Sequence, residues 1–105
     1  MVKHIIVWTL KNEYSNEEKE KIKSDIKMSL EALMGKVPGL TDIKVQTQCL
    51  ASSNADLMLD STFVSEDAFK GYLVHPDHVA AANDYVRPHV MIKSCVDFEI
   101  EEDVK

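Results

Sequence analysis

One tyrosine and two histidines in a single amphipathic stretch have the side chains needed for acid–base chemistry. In AFKGYLVHPDHVAAANDYVRP, residues 68–88, Tyr72 stands just upstream of His75-Pro76-Asp77-His78. An imidazole with an ordinary pKa of about 6.5 can accept a proton at neutral pH, whereas a phenol of about 10 stays protonated and donates a hydrogen bond. His78 is therefore the candidate general base and Tyr72 the candidate hydroxyl donor. A plainer reading makes both of them core side chains satisfied by local hydrogen bonds.

Whether the two side chains meet depends on Pro76. On one straight helix Tyr72 and His78 would point about 120° apart. Proline lacks an N–H and crowds the residue before it, so the helix should stop near Val74 and a new one should start at Pro76, a favoured first helical position. With that bend, both side chains can reach the space between helix and sheet. His4 projects from the first strand toward the same space and is a further candidate for lining a ligand pocket.

Other chemistries find less support. His75-x-x-His78 has two imidazoles, but Pro76 disrupts their register and no third ligand has diagnostic spacing, so no metal is expected. Cys49 and Cys95 lie far apart, outside any CxxC or nucleophile motif, and are expected to remain unbridged. Three glycines, at 35, 39 and 71, cannot build a phosphate-cradling loop or a dinucleotide fingerprint. The formal charge is −6. The lysines at 19, 21, 23 and 27 are interleaved with acids, with Glu17–Lys21 and Lys27–Glu31 at pairing distance, so no nucleic-acid stripe is formed. No segment is long and apolar enough to span a bilayer, and no signal-peptide pattern opens the chain, which points to a cytoplasmic protein.

The elements that position these residues follow from periodicity. The 105 residues suit a single domain over 1–105. Residues 2–10 alternate with apolar side chains on both sides, as in a central strand covered twice: His4, Ile6, Trp8 and Leu10 against Lys3, Ile5, Val7 and Thr9. Ser15 and Glu18 form a capping box opening a helix over about 16–35, with Ile22, Ile26, Leu30 and Leu33 on its apolar face. Residues 41–49 and 57–63 alternate again and are joined by a polar turn, as in a hairpin. Ser65 caps the start of the broken helix. A last strand over 90–100 places Val90, Ile92, Ser94, Val96 and Phe98 toward the helices, and Met91 and Cys95 on the open face.

The order β-α-β-β-α-β predicts an α+β, ferredoxin-like fold: a four-stranded antiparallel sheet with the helices on one face. The other face would expose Ile5, Val7 and Met58, an apolar patch that a second copy of the chain would cover, giving a homodimer. Asp60 lies on that face and should find Lys3, Lys93 or water.

VKHIIVWTLK at the start, FVSEDAFKGYLVHPDHVAAANDYVRP in the middle and KSCVDFEI at the end resemble the stress-responsive dimeric A/B-barrel (Dabb) family over nearly the whole chain. The resemblance implies two ferredoxin-like protomers packed through their open sheet faces into an α+β barrel. The family includes the plant polyketide cyclase olivetolic acid cyclase. Carried onto this chain, that activity implies His78 as the base for an aldol-type ring closure and Tyr72 as the hydrogen-bond donor to a substrate oxygen. His4 would line the pocket, and no cofactor would be required. The first helix departs from the cyclase: it contains no aromatic residue, and Ile26 stands where a pocket tyrosine would be expected. The primary expectation is therefore a small-molecule pocket in a homodimer, with cyclase-like catalysis as the alternative. A monooxygenase of the same barrel fold has no recognisable constellation here.

Overall fold

The structure, a computed structural model, describes residues 1–100; the last five residues of the acidic end, 101–105, lie outside them. Four strands form one antiparallel sheet in the order β2-β3-β1-β4. They are β1 (Val2–Leu10), β2 (Leu40–Gln46), β3 (Leu57–Phe63) and β4 (Val90–Glu99). Helix α1 (Asn16–Glu31) joins β1 to β2, and α2 (Glu66–Val74) followed by α3 (Pro76–Ala81) joins β3 to β4. This is the ferredoxin-like arrangement expected from the sequence.

The central strand behaves as its pattern demands. Val2, His4, Ile6, Trp8 and Leu10 are buried beneath the helices, while Lys3, Ile5, Val7 and Thr9 on the other face are half-buried. From above, Ile22, Ile26 and Leu30 of α1 and Phe69 and Tyr72 of α2 join Ile6, Trp8, Leu57 and Leu59 in one core. On the open face Lys3 Nζ lies 2.8 Å from Asp60 Oδ1, so Lys3 is the partner that the half-buried acid requires.

Helix α1 opens with both halves of the Ser15–Glu18 capping box. It ends at Glu31 rather than near 35, and the chain continues in turns toward Gly35, whose φ is +85°. Lys27 pairs with Glu31 as the spacing predicts, but Lys21 pairs with Asp25 instead of Glu17. Gly39 sets the start of β2. Its φ is +81°, and a Cβ there would meet the Ala68 Cβ at 2.5 Å, so only glycine lets α2 sit this close. Strand β2 stops at Gln46, which leaves Cys49 outside the sheet and exposed.

The sidedness of β4 is the main departure from the sequence reading. Val90 pairs with Leu10 and packs against the core, as expected. The register then shifts, because Ile92 is the next paired residue, opposite Thr9. Met91 is the extra residue of a bulge, and one extra residue moves every later side chain to the other face. Ser94, Val96 and Phe98 pair with Val7, Ile5 and Lys3 on the open face, while Cys95 and Asp97 pair with Ile6 and His4 beneath the helices. The open face thus gains Ile92, Val96 and Phe98, and Cys95 leaves it.

Candidate functional site

The broken helix brings Tyr72 and His78 together. Pro76 opens α3 at its first position, and His75 holds an extended backbone (φ −64°, ψ 131°) between the two helices. The His75 Nδ1 accepts the Asp77 N–H at 3.1 Å, so this imidazole serves as a helix cap and does not join His78. Tyr72 in the last turn of α2 and His78 in the first turn of α3 then lie with ring centroids 4.1 Å apart, inclined at 38°. His4 reaches them from β1, with its ring 6.2 Å from Tyr72 and 4.7 Å from Phe69. His89 is half-buried at a separate place, where its Nδ1 meets the Tyr14 hydroxyl at 2.8 Å.

The three residues border a cavity of about 320 Å³ between the helices and the sheet. Its apolar wall includes Ile6 and Trp8 from β1, Leu30 from α1 and Leu59 from β3, and its other polar side chains are Arg87 and Lys93. After α3 the chain makes a single π-helical turn over Ala82–Val86, in which the Arg87 N–H reaches back to the Ala82 carbonyl at 2.9 Å. The wider turn presents Ala82, Val86 and Arg87 to the cavity. Within it Val86 is buried and Tyr85 is exposed. Such turns recur at functional sites because they re-aim side chains within a helix. No residue type in this stretch announces it.

The environments of the two ring systems differ. Tyr72 is fully buried, its ring packed at a tilt against Phe63 with centroids 5.0 Å apart, and its hydroxyl has no hydrogen-bond partner among the described residues. Burial pushes its pKa well above that of an ordinary phenol, because an anion there would lose its hydration. Tyr72 is thus a neutral donor throughout the working range of a protein. His78 is half-buried, and its Nδ1 is enclosed without a partner among the described residues. Burial lowers its pKa, the nearby Leu73 carbonyl opposes that, and His4 and Arg87 add to the lowering. A neutral imidazole beside a neutral phenol can accept a proton while the phenol holds a developing oxyanion.

His4 has a different partner. Its Nδ1 is hydrogen-bonded to the Asp97 carboxylate, which fixes the proton on Nδ1 in the neutral ring. Cys95 Sγ lies 3.8 Å from the same nitrogen and 3.4 Å from Asp97 Oδ1. These three donors are the group among the described residues close enough to share a metal ion, all lying within 4.8 Å of one another. Burial, then the Asp97 acceptor and charge, raise the Cys95 pKa, so its thiol is not an activated nucleophile. The sequence reading misses this cluster because it places Cys95 on the opposite face; it misses Lys93 at the cavity for the same reason.

The profile of the stress responsive A/B barrel domain matches residues 2–100. The chain belongs to that family. A dimeric ferredoxin-like protein of unknown function from Bacteroides fragilis shares 31% identity, covers 94% of this chain and 95% of its own, and superposes with a TM-score of 0.87. Two enzymes share its fold at lower identity. A hydroxynitrile lyase from Passiflora edulis is 19% identical over 99% of this chain and 96% of its own, with a TM-score of 0.73. A cofactor-independent oxygenase from Streptomyces nogalater is 14% identical over 98% and 95%, with a TM-score of 0.68. No curated protein matches the sequence. Proteins of such different description share one protomer architecture, so activity must be argued from the residues of each cavity.

Proposed function

We propose that this protein is a homodimer that binds a small organic molecule in the cavity bordered by His4, Tyr72 and His78. The observation that carries the reading is the pair of buried polar atoms, Tyr72 Oη and His78 Nδ1, that the rest of the described protein leaves without partners beside a 320 Å³ space. An unsatisfied buried polar group costs about 1–3 kcal/mol, which a ligand oxygen or N–H at this wall can recover. The sheet's open face supports the dimer. Ile92, Val96 and Phe98 stand exposed on it beside the half-buried Ile5, Val7 and Met58, and the Bacteroides fragilis relative is dimeric.

Ligand-observed NMR against a broad library of small organic compounds tests the binding reading. Hits are expected to weaken at least tenfold in both Tyr72→Phe and His78→Ala, with the amide spectrum of each variant still that of a folded protein. A library without hits, or hits indifferent to both substitutions, would refute it.

A second reading is enzymatic, favoured by the 4.1 Å approach of a neutral phenol donor to a neutral imidazole. In it His78 removes a proton from a carbon acid and Tyr72 holds the resulting enolate oxygen, as in cofactor-free aldol closure of a poly-β-keto chain. The carbanion then adds to a carbonyl of the same chain, and the proton held by His78 returns to the new alkoxide. A general base of this kind contributes about 10²–10⁴-fold. His78→Ala should therefore lower turnover of a linear polyketide thioester by at least a hundredfold. Wild-type protein inert toward a broad panel of such substrates would count against catalysis and leave the binding reading intact.

A further inference from the structure

The charge of the cavity wall is opposite to that of the chain around it. Asp and Glu outnumber Lys and Arg by 18 to 12 over the whole sequence, for a net charge of −6. The wall nevertheless includes Arg87 and Lys93, adds His4 and His78, and contains no carboxylate. Neither cation is neutralised by an ion pair among the described residues. The Arg87 guanidinium donates to the Asn83 side-chain oxygen, a neutral partner that leaves its charge uncompensated. The acid beside the wall, Asp97, is engaged by the His4 Nδ1. It stands four residues beyond Lys93 on β4, about 13 Å along the strand. Both side chains are solvent-exposed yet line the cavity, and its apolar, low-dielectric wall focuses the field of these two charges in favour of an anion.

We propose that the cavity selects a small organic anion: a monocarboxylate with a one-ring or short-chain apolar body. This rests on the ligand-binding reading above and names its ligand class. Lys93 and Arg87 meet the carboxylate, and the apolar body lies against Trp8 and Leu59, with the Tyr72 hydroxyl free to donate to a further oxygen. The volume limits the body, since about 320 Å³ is at the small end of ligand pockets, which run from about 300 to 1,000 Å³. The preference comes from two residues that the Tyr72–His78 pair does not include, so it can be removed without touching that pair.

The protein carries its own reporter. Trp8 is the chain's single tryptophan and lines the cavity, so its fluorescence follows occupancy. Phenylacetate and hexanoate are titrated against their neutral isosteres, phenylacetamide and hexanamide. Each acid is expected to saturate the Trp8 signal at a concentration at least tenfold below that of its amide. In the double variant Lys93→Gln, Arg87→Gln the acids should fall to the level of the amides measured on the same variant. Equal binding of acid and amide in wild type, or an acid preference that survives in the double variant, overturns the proposal and leaves the pocket reading standing. Failure of all four probes overturns it too, and the pocket reading falls with it only if the broad compound library is also empty.

Discussion

Strands β1 and β4 run side by side, yet they serve the protein in opposite ways. From Val2 to Leu10, β1 has every second side chain buried and the rest half-buried, whereas Met91–Glu99 of β4 is exposed along its length. The centre strand lies under the helices with a strand on each side, and the edge strand has a neighbour on one side only. Both contribute to the same cavity: β1 supplies Trp8 and His4 as fixed walls, and β4 supplies Lys93 at the wall and Asp97 behind His4. The difference separates two requirements of the proposed binding site. Rigid apolar shape comes from a strand that cannot move without unfolding the core, and charge comes from a strand that keeps its side chains hydrated.

The largest expected break in this comparison is at Trp8. Trp8→Ala should destabilise the protein by about 3–5 kcal/mol, as truncation of a buried aromatic does. Lys93→Ala on β4 should stay within about 0.5 kcal/mol, as surface changes do. Urea denaturation followed by far-ultraviolet circular dichroism measures both, and similar costs would contradict the contrast between centre and edge. The two faces of β4 can be separated in the same way. Val96→Asp puts a charge into the proposed dimer surface and should raise the dissociation constant at least a hundredfold by sedimentation. Lys93→Glu on the other face should leave association unchanged.

Smaller effects sharpen the picture. Burial lowers the His78 pKa, so the native state prefers the neutral ring. The stabilisation tied to that preference is present above the unfolded-state pKa of about 6.5 and is lost as the pH falls toward the lower native value. Wild type should therefore lose more stability than His78→Gln over that acid range in pH-dependent thermal melts, and the two should run parallel above pH 7. Smallest of all is the tie between the strands. Asp97→Asn keeps the shape and removes the charge bonded to His4, on a side chain that is 39% exposed. Its expected cost is about 0.5–1 kcal/mol, since solvent screens a partly exposed pair. A cost of several kcal/mol in denaturant titrations would mean that the edge strand anchors the centre strand far more than the exposure of Asp97 allows.

The element order, the two-faced character of β1, the capping of α1 and the break before Pro76 are all legible in the sequence. Each is written in consecutive residues whose spacing, cap or proline acts within a turn or two. Tyr72, His78 and His4 are legible as candidates on the same basis, because a proline bend and a strand's alternation suffice to aim them inward. The positions of Lys93, Cys95 and Asp97 are not, although each lies in a strand whose existence is plain. Their side depends on the bulge at Met91, which arises in pairing β4 with a strand more than eighty residues earlier in the chain. Arg87 depends likewise on a π-helical turn with no residue-type signature.

The sequence by itself determined which segments are strands and helices and which of them carry an imidazole or a phenol on an inward face, since periodicity is a property of neighbours along the chain. The tertiary structure alone decided which charges meet those groups. Side-chain direction beyond a bulge is set by hydrogen bonds to a distant strand, and a one-residue shift there exchanges the solvent face for the cavity face.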